Sequence, residues 1–114
     1  MLSKKRKLQL RQFPDFFDHA QKSFHSLFTL FYRQNQTGFL PAVIVPKKAA
    51  RKATERNTLK RMVYVVIEQN YQQLEHKKIS VAIVLKAKGA HTSTEELSTQ
   101  LLAALSQLWN YKQE

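Results

Sequence analysis

Cysteine is absent from this chain, which excludes disulfide frameworks, thiol nucleophiles and thiolate metal sites together. The absence fits a reducing compartment, and a cytoplasmic protein is the expectation. Glycine and proline are sparse, two and three in 114 residues, which argues against low-complexity disorder. No serine or threonine stands in a glycine-rich elbow or phosphate loop that would make it catalytic. No apolar run approaches the roughly 20 residues of a membrane span. The chain starts on a basic cluster, Lys4-Lys5-Arg6-Lys7, but Arg11, Asp15 and Asp18 interrupt any uncharged segment after it, so a signal peptide is not expected. Acidic residues are scarce and dispersed except for Glu95-Glu96, a pair that a helix N-terminus explains. No two-carboxylate nuclease centre is therefore visible. His19, His25, His76 and His91 are scattered, with no i, i+4 pair, so neither a protein metal site nor a histidine base is expected. The chain is not expected to catalyse a reaction with its own side chains.

What is abundant is positive charge. Nineteen Lys and Arg stand against eight Asp and Glu, a net charge of +11. That surplus makes the compact state repel itself, and bound phosphates or anionic lipids relieve the repulsion. Hydrophobic residues make up 43% of the chain, enough for one packed core in one domain. Residues 1–11 hold five cations and no acid and read as a basic, flexible tail, leaving 12–114 as the domain.

Along the domain the patterns predict six elements. A short helix starts at Pro14, with Phe13, Phe16, Phe17 and Ala20 on one face. Residues 24–33, rich in aromatics, read as a strand. After the turn Asn35-Gln36-Thr37-Gly38, residues 39–45 form a second strand, expected to pair with the first as a hairpin. Pro41 places an edge or a bulge near its start. A helix follows from about Thr54 to Leu74, on a 3.6-period stripe of Leu59, Met62, Val63, Val66, Ile67, Tyr71 and Leu74. Residues 78–85 form a third, buried strand. Thr92 or Ser93 caps a last helix, each with a Glu three residues on, whose core face is Leu97, Leu101, Ala104, Leu105 and Leu108. Trp109 and Tyr111 read as packing or capping aromatics. The order α-β-β-α-β-α predicts an α+β fold, a small mixed sheet packed with helices.

The densest feature is the block from Lys47 to Arg61, seven cations and one acid in fifteen residues. At 100° per residue, Lys52, Arg56 and Lys60 advance only about 40° per step, and Lys52 and Arg56 fall on the side of Val63 and Val66. Long cations continuing an apolar stripe call for a groove at the helix start. Cations in a first helical turn also oppose the macrodipole, at roughly 0.3–1 kcal/mol each. A solvated charged face with snorkelling stems is the plain alternative. The net charge favours nucleic acid. A membrane surface is disfavoured, because no helix pairs a strong apolar face with a basic face along its whole length.

Within the block, Lys47-Lys48 followed by Ala53-x-x-Arg56-Asn57-x-Leu59-Lys60-Arg61 resembles the signature of the protein subunit of bacterial ribonuclease P. The likeness extends to the basic N-terminus, Phe13 and Phe17 four apart, the aromatic strand, and the third strand with its capped helix. Four departures mark a divergent member. Thr58 stands where the Arg-Asn-Arg triplet has its second arginine, Val63 and Tyr64 where a further arginine is common, Ala42 near a common glycine, and Ser80 at an acidic strand start. The resemblance implies a ribosomal-protein-like fold with a left-handed strand-helix-strand crossover. It implies an accessory subunit, a monomer within a ribonucleoprotein, bound to a catalytic RNA and to precursor tRNA. That particle removes the 5′ leader of precursor tRNA using magnesium held by the RNA, with none bound by the protein alone. By the same resemblance Lys47, Lys48, Arg51, Lys52, Arg56, Asn57, Lys60 and Arg61 bind RNA, while Phe13, Phe17, Phe31 and Lys86 form the leader cleft. The competing reading is a basic RNA-binding module of another ribonucleoprotein, such as a ribosomal protein or assembly factor.

Overall fold

A computed structural model of the chain describes residues 16–35, 38–74 and 77–112. The basic tail, Phe13, Pro14 and the side chains of Trp109 and Tyr111 lie outside the described residues. The central element is β4 (Ile79–Leu85), a nearly continuous apolar run buried on both faces, as a strand flanked by neighbours on both sides should be. It pairs antiparallel with β2 (Phe28–Gln34) and parallel with β3 (Leu40–Ile44). A fourth strand, β1 (Gln21–Phe24), pairs antiparallel with β2, giving the sheet order β1-β2-β4-β3. The α+β class with a small mixed sheet holds.

Two strand expectations are corrected. The predicted strand over 24–33 is two strands, because the chain turns back between Phe24 and Phe28. The N–H of His25 donates to the Phe28 carbonyl at 3.0 Å to close that turn, and Leu27 is buried within it. The predicted hairpin between 24–33 and 39–45 does not form either. The connection after β2 skips a position, and β4 inserts between β2 and β3. β3 is just as apolar, but Pro41 suits it to an edge, which leaves the central place to β4. At the connection, the Asn35 N–H donates to the Lys78 carbonyl and its Nδ2 to Ser80 Oγ. Asn35 Oδ1 accepts from the N–H of Gly38, whose φ of 145° suits glycine.

Pro41 does mark an edge. Val43, two residues on, points its N–H outward to the Tyr64 hydroxyl at 3.1 Å. Pro41 has the same parity, so the N–H it lacks would also face outward and no ladder bond is lost. Burial raises the Tyr64 pKa, partly offset by that backbone hydrogen bond.

The predicted helix over 54–74 is α2 (Ala53–Gln69) followed by the short α3 (Tyr71–Leu74). The break falls at Asn70, whose Nδ2 donates back to the Val66 carbonyl at 2.8 Å, offering the backbone an alternative to continued helix. The stripe itself packs as expected: Val63, Val66, Ile67 and Leu74 are buried, and Leu59, Met62 and Tyr71 lean on the core. After β4 the chain forms one further turn, α4 (Ala87–Ala90), and then α5 (Thr94–Lys112). Ser93 caps α5 by accepting from the Glu96 N–H, while Glu96 pairs with Gln100 instead of reaching back. All five predicted core residues of α5 are buried. They and the α2 stripe join one sheet face, carrying Phe28, Leu30, Val81 and Ile83, in the main core.

The opposite face is built differently. Its rows, across β1-β2-β4-β3, are Phe24–Thr29–Val84–Ile44 and Lys22–Phe31–Ala82–Ala42. The short helix α1 (Phe16–His19) lies on the second row, with Phe16 buried over Ala42 and Ala82. The expected shared face of Phe16, Phe17 and Ala20 therefore divides: Phe16 is core, Ala20 is half-buried, and Phe17 is 39% exposed.

Candidate nucleic-acid interface

The basic block begins where Pro46 follows β3. The N–H groups of Ala49 and Ala50 both donate to the Pro46 carbonyl, at 2.9 and 3.2 Å, and both alanines are buried. Sinking that pair pushes the residues on either side outward, so Lys47, Lys48, Arg51 and Lys52 are all exposed. Lys52 is the N-cap of α2, with φ −84° and ψ 137° and no side-chain cap. It therefore lies off the helical stripe on which the sequence placed it. Arg56 does lie on that stripe and is half-buried. Its Nη1 donates to the Ala50 carbonyl at 3.0 Å and the Arg51 carbonyl at 2.7 Å. Arg56 thus clamps the turn to the helix, a role the sequence reading did not foresee, and its remaining guanidinium donors lie outside those two bonds.

Asn57, Lys60 and Arg61 are exposed on α2, within an arc of about 100°. Thr58 is exposed and its hydroxyl donates back to the Thr54 carbonyl at 2.9 Å. The helix start, with no side-chain cap and surrounded by cations, is electropositive from both its dipole and its side chains.

On the sheet's second face, Phe17 packs edge-on against Phe16 and Phe31, with ring centroids 5.3 and 5.1 Å apart. The Lys22 ammonium stands 5.8 Å from the Phe31 ring centre, within cation–π range. Phe24, in the adjoining row, is 72% exposed. Phe17 and Phe31 are thus brought together. Lys86 stands apart from them: it is four residues beyond Ala82, the partner of Phe31, or roughly 13 Å along the strand. Its Nζ donates to the His25 carbonyl at 2.6 Å, across the β1–β2 turn. Burial, and then the charge of Lys86, lower the His25 pKa.

Sequence reasoning missed Lys22 and Phe24. Their alternation was the available signal, since both fall on one face once 21–24 is read as a strand. It also missed Gly89, where a Cβ would come within 2.2 Å of the Leu27 carbonyl oxygen. Only glycine lets α4 sit against the β1–β2 turn.

Because β3 and β4 run parallel, Lys47 and Lys86 emerge at the same end of the sheet, the end that also carries the β1–β2 turn. The basic turn and the Phe24 row therefore adjoin. Among the described residues no group of three or more His, Asp or Glu is placed to hold a metal ion, and no helix is long and apolar enough to cross a membrane.

The fold has close counterparts. The RNase P protein from Thermotoga maritima superposes with a TM-score of 0.78 at 23% identity, over 89% of this chain and 96% of that one. The RNase P protein from Staphylococcus aureus gives 0.76 at 15% identity, over 93% and 96%. A Staphylococcus aureus mutant with defective mRNA degradation activity gives 0.78 at 15%, over 92% and 89%. At such identities the likeness concerns the fold. No curated protein matches the sequence. A protein-family model for Ribonuclease P, however, matches residues 2–109. With that match spanning almost its full length, the chain belongs to the ribonuclease P protein family.

Proposed function

We propose that this protein is the accessory subunit that helps a catalytic RNA remove the 5′ leader of precursor tRNA. The observation that carries the reading is the presence of two unlike surfaces on one small domain, a basic turn at one end of the sheet and an aromatic face at mid-sheet, with the Phe24 row between them. The first is a rigid basic turn and helix start, suited to a folded RNA's phosphates. Lys47, Lys48, Arg51, Lys52, Lys60 and Arg61 neutralise phosphates there, each displacing condensed counterions. Asn57 adds hydrogen bonds, and Arg56 both holds the turn and offers its outer donors. The second surface is aromatic and half-open, suited to unpaired bases. Phe17 and Phe31 supply faces for stacking, worth roughly 1–3 kcal/mol per base. Lys22, over the Phe31 ring, and Lys86, further along at the end of the sheet, follow the leader's backbone. Following the family resemblance, hydrolysis is assigned to magnesium ions held by the RNA.

The test reconstitutes the chain with the catalytic RNA of its own source at low magnesium and follows precursor-tRNA cleavage. Stimulation of cleavage is expected. Tight RNA binding without stimulation would instead assign the chain to another ribonucleoprotein.

A further inference from the structure

Beside the basic turn lies a cleft whose apolar part the function above leaves unused. One lobe, about 300 Å³, is lined by Ala49, Ala50, Leu59 and Ala90 together with Thr54 and Thr58. A second lobe, about 330 Å³, is lined by Lys48, Arg51 and Lys52. Ala49, Ala50, Glu55 and His91 border both lobes, so the two adjoin. The first lobe is at the small end of ligand sites, which span roughly 300–1,000 Å³.

Its walls are fixed before anything binds. Ala49 and Ala50 are tied to Pro46, and Arg56 clamps the Ala50 carbonyl. The N–H of Ala90 donates to the Lys86 carbonyl at 3.0 Å, and Gly89 beside it is locked against Leu27. The backbone of these walls therefore needs little ordering, and the cost of binding falls on the exposed side chains around it. Thr58 lines the same lobe and is short. A long side chain from that helix position would fill it.

An apolar slot next to three cations matches a flat ring carrying an anion, which is the chemistry of a nucleotide. The Glu55 carboxylate can only accept hydrogen bonds. It favours a base that presents an exocyclic amino group and opposes the carbonyl edge of uracil. His91 adds a ring that can stack.

We propose that this cleft receives one unpaired nucleotide of a bound RNA. Its base enters the alanine-walled lobe with its amino group on Glu55, and its phosphate sits among Lys48, Arg51 and Lys52. The inference rests on the RNA-binding reading but concerns a surface distinct from the Phe17–Phe31 face.

The test is a magnetic-resonance titration of the full labelled chain with CMP, UMP and inorganic phosphate. CMP is expected to shift the amides of Ala50, Thr58, Ala90 and His91 and to bind about 2- to 10-fold more tightly than UMP, the range one hydrogen bond supplies. Phosphate should move only residues 48–52. Thr58→Met, at an exposed helical position, should abolish the CMP response at Ala90 while keeping the phosphate response. Glu55→Gln should level CMP and UMP. Equal binding of CMP and UMP by the native chain, a CMP pattern reproduced by phosphate, or persistence of the Ala90 response in Thr58→Met overturns the proposal. No catalytic RNA is present in the titration, so its failure leaves the cleavage result standing. Conversely, CMP binding without stimulation of cleavage would leave the cleft intact and overturn only the choice of ribonucleoprotein.

Discussion

The basic turn and the aromatic face each rest on a pair of alanines, yet they are assembled in opposite ways. Around the turn, Ala49 and Ala50 are drawn in by Pro46, and Arg56 closes the loop from five and six residues away. The hydrogen bonds that shape it are all local, although both alanines also pack into the main core. On the aromatic face, Ala42 and Ala82 make the seat for Phe16 from strands 40 positions apart in the numbering. Phe17, Phe24 and Phe31 reach that face from three further segments. A locally closed surface keeps its geometry when the rest of the molecule shifts. A face assembled from distant segments depends on the register of every strand beneath it.

This contrast can be tested by disturbing one region and reading both. The largest effect is expected from Ala82→Leu, which puts extra methylenes into a fully buried site under Phe16. Overpacking of this kind costs about 1–3 kcal/mol, measurable by denaturant unfolding. The displaced α1 should lower affinity for single-stranded leader RNA while affinity for the catalytic RNA is retained. Parallel loss of both affinities would show that the two surfaces are coupled and break the comparison.

Arg56→Ala comes next. Losing two backbone hydrogen bonds that partly face solvent should cost about 1 kcal/mol of stability. The slope of log affinity for the catalytic RNA against log salt should fall by about 0.7–0.9, as for one phosphate contact. Arg56→Lys separates the two roles: it should restore the salt slope without restoring the stability, because an ammonium lacks the fork that spans both carbonyls. Full recovery of stability in the lysine variant would remove Arg56 as a clamp.

The smallest change in stability is expected for Phe17→Ala, since Phe16 keeps the seat filled. At this partly exposed site its two edge-on ring contacts together are worth about 0.5 kcal/mol, the low end for aromatic pairs. Selectivity for precursor over mature tRNA should fall several-fold, because only the precursor carries unpaired bases to stack. Equal loss for both substrates would reduce Phe17 to packing.

Legibility follows the same division. The α5 face was readable to the residue, because Leu97, Leu101, Ala104, Leu105 and Leu108 repeat with the helical period and meet a single partner surface. The sequence left the α5 cap open between Thr92 and Ser93, and one hydrogen bond to Ser93 decides it. Strand β1 was missed because Gln-Lys-Ser-Phe is too short and too polar to stand out from a loop. It exists because β2 offers it an unpaired edge. The partner of β2 was misjudged for a related reason: neighbours in sequence are the usual neighbours in a sheet, and here β4 displaced β3. Arg56 was read as a free RNA contact because helix periodicity gives the direction of a side chain and says nothing of the carbonyls it meets.

The sequence by itself determined that this chain is a small α+β domain with surplus positive charge, no thiol chemistry and one dense basic block. Those properties reside in composition and in periods of two to four residues, which no distant contact is needed to express. Tertiary structure decided which strand is central, that Phe16 is buried while Phe17 faces out, that Arg56 clamps the turn it seemed only to decorate, and that Phe17 and Phe31 meet at mid-sheet while Lys47 and Lys86 leave it at one end. Each of these depends on pairing between segments far apart in the chain. Strand order depends on which strands can take a partner along both edges, and with Pro41 in β3 that competition is resolved only when all four strands meet.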